Sequence, residues 1–169
     1  MKYLICSLLV GLIAAAPTQS KTEDPRETFA RGFLLQVHSW ALHNDKASTD
    51  EIYSRYKDQF VAKTKDEPSQ AWSEREGHFK DLIRSLAELA RAGATSDDIF
   101  HGKGTFEVKK APTVEKTPDD QVIWQYDIPA KVNPDRPEVR AVKWTLHLRQ
   151  PTKGSDWKIF GLDKDLLPK

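Results

Sequence analysis

Apolar positions recur every three to four residues along the first half of the chain and every two along the second half. Asp24-Pro25-Arg26-Glu27 supplies a capping residue, a proline at the first helical position and an acid where a capping box places one. Phe29, Phe33, Val37 and Trp40 follow at helical spacing, with Ala30, Leu34 and Ala41 widening the stripe. This pattern predicts a helix ending near Leu42 to Asn44. Ser48-Thr49-Asp50-Glu51 opens a second, shorter helix with the stripe Ile52, Tyr53 and Tyr56. Phe60-Val61-Ala62 reads as a brief strand, and the polar Lys63 to Ser69, with Pro68, as a loop. A third helix carries Phe79, Leu82, Ile83, Leu86, Leu89 and Ala90 on one face. Gly93 stands where a left-handed C-terminal cap belongs.

Beyond Gly93 the alternation is that of strands. Phe106 and Val108 form one short run, and Ala111 to Gln121 reads as a hairpin loop. Val122, Trp124, Tyr126 and Ile128 form the next run, followed by an Asn133–Pro137 turn. Val142, Trp144, Leu146 and Leu148 come third. Gln150 to Asp156 turns again, and Trp157, Ile159 and Gly161 begin a last strand. One face of this sheet is apolar and the other polar, so a single covered face is expected. The predicted fold class is α+β: N-terminal helices packed on a curved antiparallel meander of four to five strands.

The first twenty residues stand apart from this fold. Lys2 precedes an apolar run from Leu4 to Ala16, small residues follow at Ala14–Ala16, and polarity arrives at Thr18. That is the form of a secretory signal peptide, and the run is shorter than the roughly 20 residues a membrane span needs. Pro17 disfavours cleavage at its own bond, which leaves Ala15 or Ser20 as the cut. Residues 1–20 are therefore read as a signal peptide and 21–169 as one domain of a secreted, extracellular protein.

Charge and cysteine content narrow the functional classes. Twenty-six Lys and Arg against twenty-five Asp and Glu leave a formal charge of +1, with no block of like sign, which argues against a nucleic-acid binder. The lone cysteine, Cys6, lies in the signal, so the mature chain has no thiol for a disulfide, a cysteine–zinc site or redox chemistry. Neither Asn44 nor Asn133 begins a glycosylation sequon. The five histidines form no paired ligand motif, and Gly102-Lys103-Gly104 is only a fragment of a phosphate loop, so no metal or cofactor is expected.

The order helix, short helix, short strand, long helix and meander resembles the nuclear-transport-factor-2-like superfamily. That cone-shaped fold is shared with ketosteroid isomerases and scytalone dehydratases. Two segments carry the likeness: Glu51-Ile52-Tyr53-Ser54-Arg55-Tyr56-Lys57-Asp58-Gln59-Phe60-Val61, similar to the family's second helix and first strand, and Ser155-Asp156-Trp157-Lys158-Ile159-Phe160-Gly161-Leu162, similar to its last strand. The likeness runs from about Glu27 to Leu162. Isomerases of this family hold an Asp base and a Tyr/Asp donor pair inside the cone. Here Tyr126 faces inward, while alternation turns Asp127 outward and leaves no second inward carboxylate. A cystatin-type inhibitor has a related shape, but its Gln-x-Val-x-Gly wedge is absent, and Gln36-Val37 belongs to a helix.

These features lead to a secreted, non-catalytic binding module. It would hold a small apolar ligand in the cone, or a protein partner on the sheet. Candidate ligand-binding residues are Tyr126, Trp124, Trp144, Phe33 and Trp40, because a wall of large rings with one phenol suits such a ligand. Lys143, His147, Arg149, Lys158 and Lys109 are expected on the open sheet face, where a homodimer could form. The alternative is an isomerase- or dehydratase-like enzyme, with Tyr126 as donor and His38 or His78 as base.

Overall fold

The computed structural model describes residues 24–97, 100, 105–109, 120–128 and 139–168. The first twenty residues, expected to be a signal peptide, the Gly102-Lys103-Gly104 fragment, His101 and the expected Asn133–Pro137 turn lie outside them. Helices α1 (Pro25–His43), α2 (Thr49–Tyr56) and α3 (Ser69–Arg91) precede strands β1 (Thr105–Lys109), β2 (Asp120–Asp127), β3 (Val139–Arg149) and β4 (Lys158–Pro168). A short 3₁₀ turn, Lys57–Gln59, follows α2. The strands form an antiparallel sheet in the order β1-β2-β3-β4. The fold is α+β, with the helices packed against one face of that sheet.

Local chemistry sets the helix boundaries. The Asp24 carboxylate accepts from the Arg26 backbone N–H at 2.9 Å and from its guanidinium at 2.8 Å, while Pro25 occupies the first turn. Glu27 does not close a capping box there. It pairs with Arg31 one turn on, at 2.7 Å. The α2 box does form, with Ser48 and Glu51 satisfying each other's backbone N–H groups. At the end of α3, Gly93 adopts φ +74°; its N–H donates to Ala90 O and that of Ala94 to Leu89 O, both at 3.0 Å. This 6→1 and 5→2 pair is a Schellman cap, open to glycine because it has no Cβ.

Two expectations change at the β4 side of the sheet. Phe60-Val61-Ala62 is not a strand. Phe60 makes a single parallel bridge to Ile159, and the Val61 N–H donates to Ile159 O at 2.9 Å. Arg75 covers the same place, donating to Val61 O (3.1 Å) and Phe160 O (3.4 Å) while paired with Glu67. The last strand begins at Lys158, after Trp157, and its alternation breaks. The register slips between His147 and Leu148, which pair with Gly161 and Ile159, so Ile159 and Leu162 point inward and Gly161 lies against His147. A bulge of this kind adds one residue to a strand and reverses its facing.

One core joins the helices to the sheet: Phe33, Leu34 and Val37 from α1, Phe79, Leu82, Ile83 and Leu86 from α3, and Trp124, Trp144 and Leu146 from the sheet. Tyr53 and Tyr56 are only partly buried, so the α2 stripe rests on Ile52. Among the described residues, no helix is long and apolar enough to cross a membrane.

Candidate ligand-binding site

Strand alternation carries Val122, Trp124 and Tyr126 of β2 to the helix-covered face, together with Val142, Trp144, Leu146 and Leu148 of β3. Trp124 and Trp144 stand opposite each other in the ladder, and Tyr126 pairs with Val142. The rings form a stack: Tyr126 on Trp124 at 4.4 Å, and Trp124 on Phe100 at 5.3 Å. His38 of α1 closes the row, edge-on to Phe100 at 5.9 Å.

This wall holds one polar atom that the core does not serve. Among the described residues, Trp144 Nε1 is the buried side-chain nitrogen or oxygen without a hydrogen-bond partner. Such an orphan group costs about 1–3 kcal/mol of desolvation. Burial pushes the Tyr126 phenol far above its ordinary value, opposed by the Trp144 indole N–H, which lies close to the phenol but outside hydrogen-bond geometry. Tyr126 is therefore a neutral phenol, able to donate, at any physiological pH.

The five candidate residues lie in three places. Trp124, Tyr126 and Trp144 share the sheet wall. Phe33 belongs to a second cluster between the helices, edge-on to Phe60 at 5.5 Å and to Tyr56 at 6.2 Å, with Phe60 stacked on Phe79 at 4.3 Å. Trp40 stands apart, half-buried at the α1–α2 corner under the Arg55 guanidinium at 5.5 Å. It borders two open surface grooves of about 560 and 610 Å³.

The two proposed bases do not join Tyr126. His38 is 2% exposed, and its Nε2–H donates to Ala94 O at 3.0 Å, directly after the α3 cap. Burial lowers its pKa, with that carbonyl opposing, so the ring is neutral. Phe100 and Trp124 lie between His38 and Tyr126 in the stack. His78 is exposed on α3, where it lines a different feature: a groove of about 550 Å³ between α3 and β4.

Sequence reasoning missed Phe100 and this groove. Phe100 sits alone beyond the end of α3, with no periodic neighbours to mark it. The groove depends on the β4 bulge, which no alternation count reveals.

On the open face, the expected basic row is matched by acids of β4. Lys143 pairs with Asp165 at 2.6 Å and His147 Nε2 with Asp163 at 2.8 Å, while Arg149 lies over the Phe160 ring at 3.3 Å and opposite Lys158. Lys109 lies on β1; its side chain falls outside the described residues. No family model, no curated protein and no solved structure matches this chain.

Proposed function

We propose that this chain is a secreted, non-catalytic binding module of nuclear-transport-factor-2-like design, holding a small apolar ligand between its helices and the inner face of a cone-like sheet. The observation that carries this reading is the inner wall of Trp124, Tyr126 and Trp144, where one indole N–H lacks an acceptor beside a phenol that stays protonated. Rings supply apolar contact, and two donors give a ligand oxygen something to find. The residues after the apolar leader contain no thiol, which fits a domain stabilised by its core alone.

The isomerase- or dehydratase-like alternative needs a base within hydrogen-bond reach of a ligand beside Tyr126. His38 is engaged by Ala94 O behind two rings, and His78 is exposed on the helix, so the binding module is preferred. Native mass spectrometry with organic extraction, on protein secreted from a eukaryotic host, tests the choice. A co-purifying small molecule, lost in Tyr126→Phe, supports the reading. An empty homodimer moves the function to the open sheet face, and an empty monomer leaves a protein partner there.

A further inference from the structure

The groove between α3 and β4 is walled by His78 and Asp81 of the helix and by Trp144, Leu162 and Lys164 of the sheet. Three carboxylates border it, each already engaged: Asp81 with Arg84 at 2.6 Å, Asp163 with His147 at 2.8 Å, and Asp165 with Lys143 at 2.6 Å. Lys164 is different. Its ammonium stands 5.0 Å above the Trp144 ring and 3.4 Å from the Ser85 hydroxyl, with no carboxylate at ion-pair distance among the described residues. Beneath it lies the same indole whose N–H has no acceptor. A cation with a hydroxyl beside it and an aromatic floor below is suited to an anionic head joined to an apolar body.

We infer that this groove binds the carboxylate of a small amphiphilic acid. Lys164 and Ser85 hold the head; the Trp144 ring and Leu162, 1% and 4% exposed beneath the lysine, meet the first part of the apolar body once the Lys164 stem turns aside with the head. The inference rests on the binding-module reading and deepens it by naming the ligand's head chemistry and its mouth. A competing role for Lys164 is structural, because an inward-pointing lysine on an edge strand discourages pairing with a second sheet.

Nitrogen–proton correlation spectra of the mature protein, titrated with octanoate and with octan-1-ol, separate these roles. The Trp144 indole resonance is identified by its loss in Trp144→Phe. Octanoate is expected to move it along a saturable curve, with octan-1-ol weaker by about tenfold or more, as for one charge-assisted hydrogen bond. Lys164→Gln should weaken octanoate by a similar factor and leave octan-1-ol unchanged. Equal affinity for the two probes, or octanoate binding unaffected by Lys164→Gln, overturns the anionic head while leaving an apolar-ligand module intact. Lys164→Gln that dimerises with unchanged octanoate affinity makes Lys164 an edge guard and also overturns it. If neither probe moves the resonance while extraction yields a ligand, the groove is wrong and the module stands; if extraction is empty as well, both readings fail.

Discussion

Two aromatic clusters lie a few side chains apart and answer the same hydrophobic demand differently. The helical cluster of Phe33, Phe60 and Phe79, flanked by Tyr53 and Tyr56, keeps its polar atoms at the rim, where the Tyr56 hydroxyl donates to Gln36 O at 3.1 Å. The sheet cluster of Phe100, Trp124, Tyr126 and Trp144 buries polar atoms, and the Trp144 N–H finds no acceptor. A fold that needed only burial could have used phenylalanine in both. The difference marks the helical cluster as a stabilising core; under the proposed binding-module reading, the sheet cluster is the place where stability and binding would compete.

Phe79→Ala is the strongest way to test the structural side of this contrast. The ring is fully buried and stacked on Phe60, so its removal should cost about 3–5 kcal/mol in urea unfolding. A loss below about 1 kcal/mol would mean that the helical cluster is not the anchor. Trp144→Phe sharpens the other side. It shrinks the ring but also removes the orphan N–H, so it should destabilise less than Trp124→Phe, by about 1 kcal/mol.

The contact between the clusters and the α3 cap is pH-sensitive through His38. Its folded pKa lies below the unfolded value of about 6.5, so its contribution is complete above that pH and is lost as pH falls below it. One proton limits the slope to about 1.4 kcal/mol per pH unit. Urea midpoints measured from pH 8 to 5 should fall, and His38→Gln should flatten that part of the curve. Asp24 acts at lower pH and more weakly. The Arg26 guanidinium holds its carboxyl at about 2, so its capping contribution is present above its ordinary value and lost as pH falls from about 4 towards 2. Asp24→Ala should cost about 1 kcal/mol at neutral pH. The smallest effect belongs to the open face: a double-mutant cycle on Lys143 and Asp165 should give less than about 1 kcal/mol, as for other exposed pairs.

Much of the scaffold was legible in the residue pattern. The α1 start at Pro25, the opening of α2 at Ser48, the buried face of α3 and the Gly93 cap depend on neighbours within one or two turns. Side-chain period and local hydrogen bonds therefore decide them. The inward facing of Trp124, Tyr126 and Trp144 follows from strand alternation in the same way. What spacing could not decide was which aromatics would meet. Phe33 and Trp40 share a helix stripe with each other, yet one entered the helical cluster and the other stayed at the surface beside Arg55.

The sequence by itself determined three helices followed by strands, the covered face of β2 and β3, and the aromatic residues available to a site. Only the tertiary structure decided that His38 bonds Ala94 O beyond the α3 cap instead of serving Tyr126, and that the basic row of β3 meets acids of β4. It also placed Lys164 over Trp144. The division has one physical cause. Helix and strand periods are set by bonds between near neighbours, whereas these contacts join residues far apart in sequence through a bulge, a cap and a sheet edge whose geometry exists only once the chain has packed.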